Sequence, residues 1–225
     1  MCGRYSLATT KVKMEEEFGI DIGDDQLSIS FNIAPTHKAY VITNDAQDKL
    51  STFNWGLIPS WSKDDKLTGK LINARVEGIS SKPSFRMAIR KRRCLVIADS
   101  FYEWRREGTK KIPYRIFPKD GELLALAGIW ETWGTDEALK TFSILTTEAN
   151  DDISDLHNRM PLFFTRPSQQ QKWLSELSLD ETIDMLRQPE ADYLTKYRVT
   201  EQMNLPVNNF KQIHKEVPEP PTLFR

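Results

Sequence analysis

The sequence predicts an α+β fold built on a mainly antiparallel, barrel-like sheet with short flanking helices. Two observations carry this. Runs rich in β-branched and aromatic residues recur between Pro, Gly and Asp punctuation from residue 38 onward. No sustained alternation of strand and helix accompanies them, so a parallel βαβ sheet is not expected. In chain order, the first helix is expected in TTKVKMEEEFGI, with Thr9 or Thr10 as N-cap and Gly19 near its end. Strand runs follow in KAYVIT, LSTFNW, RCLVIADSFYEW, YRIF, LLALAGIWET and TFSILTTEA. Short helices are expected at SFRMAIRK, NDDISDLH, PSQQQKWLSEL and LDETIDMLRQ, the last two with acidic, solvated faces. The ending VPEPPTLFR is Pro-rich and expected to be extended.

No repeat, low-complexity tract or linker divides the 225 residues. One domain over 1–225 is expected, with its core at about 2–209 and a tail at about 210–225. No apolar run approaches the length of a membrane span, and the start lacks the layout of a signal peptide, so a cytoplasmic protein without a membrane partner is expected. Cys2 and Cys94 are too few for a disulfide framework. With three histidines and no CxxC spacing, neither a metal nor another cofactor is expected.

Net charge is −1, which alone argues against a nucleic-acid partner, but its distribution argues the other way. Between residues 60 and 115, fifteen Lys or Arg stand against six Asp or Glu, so the acidic excess lies elsewhere. Such asymmetry is either an electrostatic footprint or a set of solvated surface runs such as RKRR at 90–93.

Several residues could carry chemistry. A small residue at position 2 permits aminopeptidase removal of Met1, which would leave Cys2 with an α-amine and a thiol on adjacent carbons. That 1,2-aminothiol is a reagent for aldehydes. Asn73 and Arg75, two apart in LINARVEG, share a face if extended. They suit either a sugar-phosphate ligand or the polar edge of a strand. Glu103, between Tyr102 and Trp104, is either a desolvated carboxyl able to carry a proton or a rim carboxylate paired with Arg105 or Arg106. His157, in DLHNRMP, is either a proton-transfer group or a satisfied structural imidazole. His37 and His214 lie in polar, loop-like stretches and receive no role, while Cys94 reads as a small buried hydrophobe. Pro35, Trp55 and Trp61 supply rigid apolar surface near turns, and an exposed tryptophan can stack on an unpaired base.

The strings MCGRY, FNIAPT, WGLIPSW, INARVE, FYEW, AGIWE, SILTTEAN and LHNRMP occur in an order that resembles the SOS response-associated peptidase (SRAP) family, from residue 2 to about 209. Members of that family cross-link to abasic sites in single-stranded DNA. The resemblance implies that Cys2 is the covalent residue and that Asn73, Glu103 and His157 assist it. It also implies that Arg4 and Arg75 contact phosphates, and that Pro35 and Trp55 form an apolar rim that displaces bases. Asn158 stands where many bacterial members carry aspartate, which removes an acidic neighbour of His157.

An abasic deoxyribose offers an electrophilic carbon only in its open aldehyde form. An α-amine with a pKa of about 7.7 to 8.0 attacks it readily, and the tethered thiol closes a thiazolidine on the same carbon. The expected product is a covalent protein–DNA link that shields the lesion, with lyase-type or self-processing peptidase activity as possible accompaniments. The expected partner is single-stranded DNA carrying abasic sites, bound by a monomer. Two other classes fit the same residues: a cysteine peptidase using Cys2 and His157, and a non-catalytic reader of single-stranded or modified DNA.

Overall fold

The computed structural model describes residues 2–23, 26–64, 66–135 and 138–219, and the backbone starts in a short strand, β1 (Tyr5–Leu7). Helix α1 (Lys11–Phe18) follows, bounded by the expected chemistry. Thr10 accepts from the Lys13 amide, and Gly19 takes the left-handed φ of 63° that ends the helix. The chain then forms β2 (Ser30–Ile33), β3 (Lys38–Thr43), β4 (Ala46–Trp55), β5 (Asn73–Arg75) and the single-turn α2 (Ala88–Lys91). The long run RCLVIADSFYEW is two strands, not one: β6 (Arg93–Ala98) and β7 (Ser100–Glu107). Asp99 separates them because its carboxylate accepts from the Ser6 hydroxyl and, at 2.8 Å, from the Ala8 amide.

Strands β8 (Lys110–Pro118), β9 (Leu124–Trp133), β10 (Leu139–Glu148), β11 (Arg159–Pro161) and β12 (Phe163–Phe164) come next. Helices α3 (Pro167–Leu174) and α4 (Leu179–Asp184) and strand β13 (Leu194–Arg198) follow, with 3-10 turns at Glu201–Asn204 and Lys211–His214. NDDISDLH is a series of turns rather than the expected helix. Its polar residues are committed elsewhere: Asp152 accepts from the amides of Asp192, Tyr193 and Leu194, and the Asn150 side chain donates to the carbonyls of Pro189 and Glu190.

The barrel expectation holds. Strands β10, β4, β3, β6 and β9 pair in that order, and β9 pairs back onto β10, closing a five-strand ring. All its pairs are antiparallel except β10 with β4, and β5 also joins β10 in parallel. Closure removes the free edges that an open sheet would present. A second antiparallel sheet runs β13, β8, β7, β1, β2. Inside the ring the strands approach closely: Gly128 sits opposite Cys94, and a Cβ on it would lie 2.8 Å from Cys94 Sγ. Cys94 is buried as expected, and burial pushes its thiol well up.

The solvated-surface reading of RKRR fails at one of its residues. Arg93, within RKRR, is 2% exposed, and its guanidinium donates to the carbonyls of Trp173 and Ser175, tying α3 to the barrel. The basic segment is therefore not one solvated patch. His214, within the expected tail, packs its ring against Phe31 and Tyr102 beside buried Ile213. Burial, with the nearby charge of Arg115 next, pulls it down to about 4. Residues 220–225 of that tail, and Met1, lie outside the described residues.

Candidate active site

Strand β1 pairs with β7 in the register Tyr5 opposite Phe101, and the Tyr102 amide donates to the Arg4 carbonyl at 2.9 Å. Continuing that register sets Gly3 beside Glu103, so the second sheet brings Gly3 against the strand that carries Glu103. From the barrel side, β5 supplies Asn73, whose Nδ2 donates to the Cys2 carbonyl at 2.7 Å. The β5 pairing, Asn73 opposite Ile144 and Arg75 opposite Thr146, keeps the segment extended, as its i, i+2 pattern requires. Glu103 is 2% exposed on β7, and half-buried His157 lies just before β11. Both line a cleft of about 420 Å³ with Arg4, Trp104, Arg106, Lys111 and Asn204. Asn73, Glu103 and His157, from distant parts of the chain, thus gather around buried Cys2.

The thiol is protonated at neutral pH. Burial, then the negative charge of Glu103, pushes Cys2 up to about 12. Its Sγ–H points to the Arg4 carbonyl at 3.8 Å. Burial pulls His157 below its ordinary value, and the Glu103 charge acts against that shift. The imidazole is therefore neutral at pH 7. Its Nδ1 accepts from the Arg159 amide at 2.9 Å, which assigns the proton to Nε2. His157 thus carries an N–H donor, held in one tautomer by the backbone.

Arg4 lies on the cleft, and its guanidinium is already engaged: Nη1 donates to Asn32 Oδ1 at 2.7 Å and to the Met203 carbonyl at 3.0 Å. Arg75 is exposed and Pro35 half-buried. Trp55 requires a correction. It is 0% exposed, donates through Nε1 to the Ile72 carbonyl at 2.9 Å, and meets Tyr5 edge-on at 5.0 Å, so it is a core residue beneath the site and not a surface rim. Trp61 is the exposed member of WGLIPSW, at 59%. Arg106, Lys111 and Asn204 were not anticipated as cleft residues. The signal for the first two is the Glu-Gly-Thr-Lys stretch, where Gly108 at φ 59° makes the tight β7–β8 turn and sets Arg106 opposite Lys111. Among the described residues, no group of three or more His, Cys, Asp or Glu is placed to hold a metal ion.

The family model described as SOS response associated peptidase (SRAP) matches residues 1–206. The chain belongs to the SRAP family. Two relatives are similar over nearly their whole length. Abasic site processing protein YoqW of Bacillus subtilis (strain 168) is 40% identical over 221 residues, covering 95% of this SRAP chain and 98% of its own. Abasic site processing protein YoaM of the same organism is 38% identical over 221 residues, covering 95% and 97%. A crystal structure of a protein from Bacteroides thetaiotaomicron superposes on the SRAP chain with a TM-score of 0.86 at 30% identity, covering 96% of this chain and 100% of that one.

Proposed function

We propose that this SRAP protein processes abasic sites in single-stranded DNA by capturing the open-ring aldehyde on Cys2, once Met1 has been removed. The observation that carries the reading is the convergence of Asn73, Glu103 and His157 on one buried cysteine at the head of β1. The names of the relatives YoqW and YoaM support the lesion class. Because the thiol stays protonated, nitrogen attacks first. The α-amine adds to C1′ of the sugar, and its proton moves to the carbonyl oxygen to give a carbinolamine. The Glu103 carboxylate takes the thiol proton and passes it to that hydroxyl as water leaves. The thiolate closes on the same carbon, so Glu103 ends as the carboxylate it began as. Neutral His157 offers its Nε2–H to a sugar oxygen during ring opening, and Asn73 holds the Cys2 backbone. Arg75 and Arg4 serve the flanking phosphates without reading sequence, and Pro35 the adjoining apolar surface.

The same thiol could be read as a peptidase nucleophile. That chemistry needs an ionised sulfur. Burial and Glu103 push Cys2 the opposite way, which favours the aminothiol. Protein beginning at Cys2, incubated with single-stranded DNA holding one abasic site, should give a species that survives SDS. Its intact mass should equal protein plus DNA less one water. A complex that disappears in SDS would overturn covalent capture in favour of a reader. Retention of Met1 should abolish the adduct, and Cys2→Ser should leave one that is reducible by borohydride and less durable.

A further inference from the structure

Beyond β13 the chain doubles back as a strap. Glu216 bridges to Val199, the Val217 amide donates to the Arg198 carbonyl at 2.9 Å, and Arg198 Nη1 donates to the Pro218 carbonyl at 2.5 Å. The strap delivers the Glu219 carboxylate to a pocket of about 540 Å³ between β7, β8 and β13. There the hydroxyl of Tyr114, a residue only 3% exposed, lies 2.7 and 2.8 Å from the two carboxylate oxygens, and Arg105 Nη2 donates to one of them at 2.8 Å. The Arg105 guanidinium also covers the Tyr114 ring at 5.0 Å and donates through Nε to Glu107 at 3.0 Å. Desolvation acts to raise Glu219, but the hydrogen bonds from Tyr114 and Arg105 outweigh it and hold the carboxyl below its ordinary value. A buried phenol and the Arg105 guanidinium converge on one oxyanion, with the charge of Arg198 on the pocket wall, and form a site for a singly charged, two-oxygen acceptor. A phosphodiester has the same charge and paired acceptor oxygens.

The pocket adjoins the candidate site. Arg105 is two residues beyond Glu103 on the same strand, and Asp155 on the pocket wall is two residues before His157. We propose that Arg105, Tyr114 and Arg198 form a subsite for a backbone phosphate of the bound single strand, which Glu219 fills in the free protein and vacates when DNA binds. The proposal rests on the single-stranded DNA reading above. Its prediction is competition: the tail carboxylate and the phosphate exclude one another.

A fluorescein-labelled thymidine homopolymer, which carries no aldehyde, tests this apart from covalent capture. Glu219→Gln should bind it about two- to fivefold more tightly at low salt. The slope of log affinity against log salt should steepen by about 0.7 for the phosphate gained. Adding Arg105→Ala to that variant should abolish both changes. Unchanged affinity and slope in Glu219→Gln, or a gain that persists without Arg105, would overturn the subsite while leaving adduct formation on abasic DNA intact. Loss of homopolymer binding in every variant would overturn the subsite and the DNA reading together.

Discussion

Glu77 and Arg159 form a two-point ion pair, Oε1 to Nη1 at 2.6 Å and Oε2 to Nη2 at 2.9 Å, and Arg159 Nη2 also donates to the Thr146 carbonyl at 2.6 Å. The pair joins the segment after β5, which carries Asn73, to the segment that carries His157. Arg159 is buried, while the Glu77 side chain is 54% exposed.

Glu77→Gln should therefore weaken the clamp at modest cost, about 1 kcal/mol in chemical denaturation. The hydrogen bond from Arg159 holds the Glu77 carboxyl below its ordinary value, so the clamp contributes fully above the unfolded pKa of about 4.3 and is lost as pH falls through the depressed value. The stability gap between wild type and Glu77→Gln should be constant near neutrality and close in acid. A gap that stays open in acid would show that the charge of Glu77 is not what stabilises.

Asn73→Ala should slow adduct formation about tenfold, the effect of losing one positioning hydrogen bond of about 1.4 kcal/mol. Binding of an undamaged strand should change little, because Asn73 Nδ2 is spent on the Cys2 carbonyl. Single-turnover adduct kinetics and fluorescence anisotropy separate the two effects. Equal losses in both would place Asn73 on the DNA and not on the nucleophile.

Gly128→Ala should destabilise the barrel by about 1 to 3 kcal/mol through overpacking. The new methyl would stand 2.8 Å from Cys94 Sγ and 3.0 Å from Val96 Cγ2. Cys94→Ala in the same chain makes room and should recover part of the loss. Additive losses in the double variant, measured by urea denaturation, would mean that the barrel relieves the clash elsewhere.

Half-buried His214 makes the fold sensitive to mild acid. Its pKa is lowered to about 4, so the unfolded chain takes up a proton at higher pH than the folded one does. Stability should fall as pH drops from about 6.5 toward 4, with further loss ending near that lower value. His214→Gln, which has no proton to take up, should show a flatter profile in that window. An unchanged slope would assign the acid sensitivity to other groups.

How much of this was legible depends on how local the signal was. The ends of α1 were readable because Thr10 and Gly19 act within a few residues of themselves, and KAYVIT matches β3 because its pattern is self-contained. The gathering of Cys2, Asn73, Glu103 and His157 came through the resemblance to SRAP motifs and not through spacing. Strand β1 was invisible because a three-residue element has no periodicity of its own and exists through β7 and β2 on either side. Trp55 and Arg93 were misplaced for a related reason. Trp55 is buried by its position between Tyr5 and Phe142, and Arg93 by carbonyls at the end of α3, contacts made across long stretches of sequence. The Glu219 pocket joins β7, β8 and β13 to the chain end, and nothing local announces it.

Burial of Cys2 at the head of β1 sets an order of events during biosynthesis. The strand is held between β2 and β7, so on the ribosome the leading residues remain accessible until roughly the first hundred residues have emerged and docked. Under the proposed function, an external enzyme that trims ahead of Cys2 meets an unburied cysteine only within that interval.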